Sequence, residues 1–239
     1  MDLTRWLPFT STIVAVSFAV VVLMRYYHRR GFHLLFWGLG LILYAMGTFA
    51  EFYSTYRWSA LVFRMWYIGG ALLTAAWLGQ GTVYLLVRRS NVAHRWAAGL
   101  IIASALAVVV MFGTRLDGTA FSAGVDLSAQ YKQILPEGAL VRRLTPLFNV
   151  YGTLWLVGGA AYSAWLFWRK RVLLHRVIGN VLIATGALAP AIGGGLSRLG
   201  ASEFLYISEL LGAVLMFIGF LRATMPMTAR EPVTHTVQA

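Results

Sequence analysis

The chain has 239 residues, of which 59% are hydrophobic and 12% charged, and it carries a net charge of +12 at pH 7. A soluble domain has about 25% charged residues, so the composition excludes an ordinary soluble fold and indicates a membrane protein. In a soluble protein this charge would suggest nucleic-acid binding, but the basic residues lie at the ends of apolar segments, and we expect no nucleic-acid partner. The absence of cysteine excludes disulfides, thiolate catalysis, iron–sulfur clusters and cysteine-based zinc sites.

Seven apolar segments are long enough to cross the bilayer core, which takes about 20 helical residues. The first has no small-x-small cleavage site before Arg25, so we expect a retained span and not a signal peptide. The sequence therefore predicts an all-α polytopic membrane protein with seven transmembrane helices, which form one domain over residues 1–224. The predicted spans cover about residues 7–25, 32–53, 59–87, 96–114, 146–168, 175–197 and 203–222.

The basic residues predict the orientation of these spans. By the positive-inside rule the face that carries them is cytoplasmic, so the N-terminus is outside and the C-terminus cytoplasmic, in a cell inner (plasma) membrane. The same residues predict contact with anionic lipid headgroups at that face. Residues 225–239 are short and polar, and we expect a disordered cytoplasmic tail. The basic residues in the alternate loops and after the last span are Arg25, Arg29, Arg30, Arg88, Arg89, Arg95, Arg169, Lys170, Arg171, Arg176, Arg222 and Arg230.

The outer loop, residues 115–145, is too polar to span the membrane and too long for a minimal connection between helices. Its length is typical of loops that cap a cavity. A short amphipathic helix that lies on the outer surface is the other interpretation, and the sequence leaves both open.

Arg64 lies inside the third predicted span, in the stretch ALVFRMWYIGG. If this span begins near Ser59, about five residues at 1.5 Å each place Arg64 about 8 Å below the outer surface. An arginine at that depth is costly unless it is paired, so we expect a counter-ion. Glu209 lies at a similar depth and is the preferred partner, and Glu51 is the alternative. These charges form either ion pairs that lock helices together or a polar pocket open to the outside.

The pocket interpretation includes polar and aromatic residues in the outer half of the bundle. In it Arg64 binds a small anionic or zwitterionic ligand, while the carboxylates balance or relay charge. Tyrosine and tryptophan at this depth are also typical of the interfacial aromatic belt. The predicted ligand-binding residues are Arg64, Glu209, Glu51, Tyr67, Trp66, Tyr206, Arg198 and Asn149.

A second indication of a site in the outer half is the run ALAPAIGGGLSR in the sixth predicted span. Pro190 removes a backbone donor, which predicts a kinked or unwound helix. The glycines that weaken the following turn are Gly193, Gly194 and Gly195. Irregular backbone at membrane depth is tolerated where it lines a cavity. A kink that serves only helix packing is the alternative.

The sequence contains no catalytic, metal-binding or cofactor-binding motif. Four histidines lie at predicted cytoplasmic helix ends, too shallow for a haem site. The only lysines, Lys132 and Lys170, lie in predicted loops, which argues against retinal. The motifs of metalloproteases, serine hydrolases and phosphate-binding loops are missing. We therefore expect neither an enzyme nor a cofactor.

The second and third spans carry a recognisable arrangement of residues. An aromatic-rich span ends in Glu51, a short outer loop follows, and the third span has Arg64, Tyr67 and Gly69 in the order Arg-x-x-Tyr-x-Gly. This stretch, residues 36–86, resembles the N-terminal seven-transmembrane sensor domain of bacterial histidine kinases. The resemblance implies an outward-facing sensory module. Because no kinase part follows the last span, it also implies a stand-alone copy that signals through a separate partner protein.

The sequence thus favours a receptor-like or sensory binding module with a small polar pocket near the outer surface. A small transporter or channel that uses the charges of Arg64, Glu209 and Glu51 along a path is the alternative, and a structural subunit of a membrane complex is a third possibility. Polar residues are sparse in the predicted inner half. This favours a dead-end pocket over a conduit.

Overall fold

The computed structural model describes residues 6–87, 89–171, 173–198 and 203–225. These residues are largely helical, and no β-strand occurs among them. The α-helices are α1 (Leu7–Arg29), α2 (Phe32–Ser54), α3 (Ala60–Trp66), α4 (Thr74–Leu86), α5 (Ser90–Gly113), α6 (Leu127–Ile134), α7 (Leu140–Arg169), α8 (Leu174–Arg198) and α9 (Glu203–Ala223). A π-helical segment, Tyr67–Leu73, joins α3 to α4. Of the predicted tail only Met225 falls within the described residues.

Six helical segments of the described chain are long and apolar enough to cross a membrane: α1, α2, the continuous segment Ala60–Leu86, α5, α8 and α9. They indicate a multi-pass membrane protein, as the sequence predicts. The fifth predicted span forms the central part of α7, a helix of 30 residues that is not among the six. The apolar sequence of α7 is interrupted by Thr145, Asn149 and Thr153, which line the cavity described below.

The long helices pack side by side around a closed ring. The order is α1, α2, α4, α7, α8 and α9, with α9 returning to α1, while α5 packs on the outside against α4 and α7. Small residues allow close approach within the ring. A Cβ on Gly79 of α4 would lie 2.9 Å from the backbone of Gly152 in α7, and one on Gly186 of α8 would lie 2.8 Å from the carbonyl oxygen of Gly212 in α9. The ring surrounds the space in which the candidate site lies.

One end of the bundle, which we call the basic end, holds the α1–α2, α4–α5 and α7–α8 turns. The helix ends meet there: Arg25 of α1 bonds Thr224 after α9, and the ring of Phe32 in α2 stacks 5.5 Å from that of Tyr84 in α4. Buried apolar side chains fill the adjacent part of the ring, and we call them the apolar plug. They are Phe18, Ala19, Val22, Leu34, Leu41, Leu78, Leu156, Met216 and Phe220. The plug closes the bundle towards the basic end.

The opposite end is covered by residues 114–139, which we call the cap. Leu127 and Ile134 of α6 are at most 1% exposed, so this short helix turns an apolar face towards the bundle. The ring of Phe121 packs 5.3 Å from that of Trp58, which holds the cap on the α2–α3 turn. The outer loop therefore contains a short amphipathic helix, which is one of the two interpretations of the sequence. This helix also lies over a cavity, which is the other interpretation.

Candidate functional site

Beneath the cap, the ring encloses a cavity of about 450 Å³. Its floor is formed by Leu78, Leu156 and Met216, which belong to the apolar plug. The polar and aromatic residues that line it are Tyr44, Thr48, Glu51, Trp66, Tyr67, Thr74, Ser128, Tyr131, Thr145, Asn149, Thr153 and Glu209. The remaining lining residues are small or apolar. The cavity is therefore a pocket that the plug closes at one end and the cap covers at the other.

Two acidic side chains meet in this cavity, Glu51 of α2 and Glu209 of α9. Their carboxyl groups are neighbours in the cavity, and Trp66 Nε1 donates to Glu51 Oε1 at 2.8 Å. Glu51 is only 3% exposed. Oε2 of each acid is buried without a hydrogen-bond partner among the described residues.

The π-helical segment positions one wall of the cavity. Gly69 and Gly70 pass close to α2, where a Cβ on Gly47 would lie 2.7 Å from the Cα of Gly70. Asn149 of α7 donates its Nδ2 hydrogen bond to the carbonyl of Ala71 at 3.0 Å, which ties the segment to the opposite helix. Segments of π-helix within α-helices occur frequently at functional sites. Here the segment directly follows the residue that holds Glu51.

Three aromatic rings form the part of the lining that lies under the cap. The ring of Tyr131 in α6 lies 6.0 Å from that of Trp66 and 6.4 Å from that of Tyr67. The hydroxyl of Tyr67 also hydrogen-bonds Thr145 of α7 at 3.0 Å. We call Trp66, Tyr67 and Tyr131 the aromatic wall. Because one of its three members belongs to α6, the site depends on the position of the cap.

The predicted pair between Arg64 and Glu209 is wrong. Arg64 points out of the ring to the C-terminal end of α5, where it donates to the carbonyls of Thr114 at 3.1 Å and Met111 at 3.4 Å. Its guanidinium also lies 5.6 Å from the centre of the Phe112 ring. The last carbonyls of a helix lack intrahelical donors and carry the negative end of the helix dipole, so they stabilise a cation without a carboxylate. Arg64 is not a lining residue of the cavity, and none of the described lining residues is basic.

The sequence predicts a kinked or an unwound sixth span, and the structure excludes the unwound form, because α8 is one continuous helix from Leu174 to Arg198 with Pro190 inside it. Pro190, Gly194 and Gly195 line the cavity, whereas Gly193 packs against α9. A proline removes one backbone hydrogen bond, and the close contact with α9 holds the rest of the helix in place. Irregular backbone occurs instead in the third span, where Tyr67–Leu73 form the π-helical segment.

The other predicted ligand-binding residues lie in three places. The structure brings together around the cavity Glu51, Glu209, Trp66, Tyr67 and Asn149. Tyr206 is buried outside the lining and lies near Asp126, which directly precedes α6. Arg198 is the last residue of α8, and its side chain lies outside the part of the chain that the structure describes.

Sequence reasoning missed seven polar lining residues, which are Tyr44, Thr48, Thr74, Ser128, Tyr131, Thr145 and Thr153. Tyr44 lies seven residues before Glu51 and therefore on the same face of α2, so the spacing was a usable signal. Ser128 and Tyr131 gave no such signal, because the position of a polar loop over the bundle is set by tertiary contacts.

Comparisons of the chain with protein-family models, with curated proteins and with solved structures found no match. The resemblance of residues 36–86 to the sensor domains of histidine kinases therefore stays a prediction. The functional argument rests on the cavity, since a fold alone does not determine function.

Proposed function

We propose that this protein is a receptor-like binding module of the cell inner membrane, which takes a small ligand into the cavity from the outer face and signals through a separate partner protein. The observation that carries the proposal is the cavity itself, a covered pocket of about 450 Å³ with buried acidic, hydroxyl and amide groups. Ligand sites are typically concave spaces of this size with a few polar groups in apolar surroundings. The resemblance to sensor domains supports the signalling role.

The floor of the cavity favours this function over a transporter or channel. A transport path needs polar groups that continue towards the basic end, but the apolar plug lies there. Gln80 of α4 is fully buried, and it bonds the carbonyl of Ala93 at 3.2 Å and the hydroxyl of Tyr151. The side-chain amide of Gln80 therefore forms hydrogen bonds between helices and does not extend a polar path. A purely structural subunit, the third possibility, would bind no small molecule in the cavity.

We also propose that α7 crosses the membrane as a seventh span, with the cap outside and the basic end in the cytoplasm. In the ring α7 lies between α4 and α8, which both belong to candidate spans. Its 30 residues extend about 45 Å. Leu147, Val150 and Leu154 on its outer face are more than half exposed, as expected of a surface in contact with lipid. The basic residues at the basic end support contact with anionic headgroups of the inner leaflet.

Labelling of single cysteines tests this topology, because the natural chain has no cysteine. We expect a membrane-impermeant maleimide to label the Ser122→Cys protein in intact cells, since Ser122 lies exposed in the cap. The His28→Cys and Lys170→Cys proteins should be labelled only after the membrane is permeabilised. Labelling of Ser122→Cys and Lys170→Cys from the same side would show that α7 does not cross.

Filling the cavity tests the binding function. Ala187 of α8 lines the cavity, so we expect Ala187→Phe to displace small molecules that the natural protein retains. Leu188 is 36% exposed and provides the matched control Leu188→Phe on the same helix. Native mass spectrometry after incubation with a metabolite extract should show bound molecules on the natural and Leu188→Phe proteins and none on Ala187→Phe. Absence of bound molecules from the natural protein, or equal retention by Ala187→Phe, would contradict the proposal.

A further inference from the structure

We infer that the ligand of the cavity is a small organic cation, such as an amine, whose positive group binds Glu51 and Glu209. The inference rests on the proposed binding function and adds the charge and chemical class of the ligand. It replaces the anionic or zwitterionic ligand expected from the sequence, because Arg64, on which that expectation depended, bonds the end of α5 and does not line the cavity.

Among the described residues, the charges that act on the acidic pair of Glu51 and Glu209 are negative. The described lining contains the two acids and no basic side chain. Asp126 of the cap adds to the negative field at both carboxyl groups. Arg142, at the start of α7, is outside the lining, with its guanidinium 5.8 Å from the centre of the Tyr131 ring. An anionic ligand would therefore enter the cavity without a cationic partner, whereas a cation is attracted to it.

The acidic pair offers acceptors to a cation. Oε2 of Glu51 and Oε2 of Glu209 are buried, and no other described group donates to them. A buried polar atom without a partner is costly, and an ammonium group brings three donors for charge-assisted hydrogen bonds. The acids are held in place for this contact, because Trp66 donates to Glu51 Oε1 at 2.8 Å and the hydroxyl of Tyr44 donates to the backbone carbonyl of Glu209 at 2.8 Å.

The aromatic wall favours an organic cation over a metal ion. Trp66 bonds Glu51 through its Nε1 edge, and the rings of Tyr67 and Tyr131 each lie 6.0 Å from the Trp66 ring, so a cation held by this acid shares the cavity with these rings. Aromatic faces attract organic cations within about 6 Å. Hard metal ions instead take six or more oxygen ligands, and no group of three or more potential metal ligands occurs among the described residues. The apolar floor suits the hydrocarbon part of an amine.

Three probes of nearly the same shape and different charge test this inference. Benzylamine is cationic at neutral pH, benzyl alcohol is neutral and benzoate is anionic. We expect the purified natural protein to bind benzylamine about tenfold or more tightly than either of the others, measured by calorimetry or equilibrium dialysis. The Glu51→Gln/Glu209→Gln protein, which keeps the shape of both side chains, should lose this preference. Glu137→Gln, which neutralises an exposed acid of the cap, should keep it.

The cavity-filling variant separates the failure of this inference from the failure of the proposed function. If Ala187→Phe weakens the binding of all three probes but charge has no effect, the cavity binds ligands of another class and only the inference is overturned. The same holds if the Glu51→Gln/Glu209→Gln protein keeps the preference for benzylamine. If no probe binds at millimolar concentration, or if binding is insensitive to Ala187→Phe, both the inference and the binding function are overturned.

Discussion

In the Arg64→Leu protein we expect a free energy of unfolding about 2–3 kcal/mol lower than in the natural protein, with unchanged affinity for benzylamine. Arg64 connects the third span to α5 by donating to the carbonyls of Met111 and Thr114. Leucine fills part of the space but leaves these carbonyls without the donor and removes the contact with the ring of Phe112. Chemical denaturation in detergent measures the stability, and calorimetry measures the affinity.

Arg57 provides the control for this substitution. It lies exposed in the turn between α2 and α3, a few residues before Arg64. We therefore expect Arg57→Leu to change the free energy of unfolding by less than about 0.5 kcal/mol, as is usual for surface positions. A loss of benzylamine affinity in Arg64→Leu as large as that in the Glu51→Gln/Glu209→Gln protein would place Arg64 in the site and contradict the structural role.

The membrane class and the helical content could be predicted because they depend on local properties of the chain. The length of an apolar run and the charges at its ends do not change when the neighbouring helix changes. The helix ends were less predictable. The first helix continues to Arg29, beyond the predicted end near Arg25, because a helix continues into the polar headgroup region after its apolar run has ended.

The partner of a buried charge could not be predicted in the same way. The depth of Arg64 follows from the rise of 1.5 Å per residue, and on depth alone Glu209 was a reasonable partner. The direction of the side chain depends on the rotation of the helix, and the π-helical segment that follows changes the rotation of α3 relative to α4. The carbonyls at the end of α5 can also accept hydrogen bonds from Arg64. A search of the sequence for acidic partners does not identify them, because they belong to the backbone.

The acidic pair itself was partly predictable. Both glutamates were singled out as intramembrane acids, and charged residues there face the interior of a bundle. Their proximity requires α2 and α9 to bring them to the same cavity, although α1 separates these helices in the ring. That arrangement follows from the packing of the whole bundle. The sequence therefore identified the chemical groups of the site but paired one of them with the wrong charge.

The two neighbouring glycines of the π-helical segment should respond differently to the same substitution. A Cβ on Gly69 would lie 2.6 Å from the carbonyl oxygen of Leu43 and 3.2 Å from the backbone nitrogen of Gly47, and these backbone atoms of α2 cannot move aside easily. We expect Gly69→Ala to lower the free energy of unfolding by about 1–3 kcal/mol, as overpacking does. Trp66 and Tyr67 lie three and two residues before Gly69, so benzylamine affinity should fall as well.

Gly70→Ala is the matched control. The nearest atom to a Cβ on Gly70 is the Cα of Gly47 at 3.6 Å, which is an ordinary van der Waals contact. Alanine stabilises a helix relative to glycine by about 0.5–1 kcal/mol, so we expect this protein to be at least as stable as the natural one in the same denaturation experiment. Equal destabilisation by the two substitutions would mean that both glycines face α2. The π-helical segment would then be rotated relative to α2, and the aromatic wall would not bring Trp66 to Glu51.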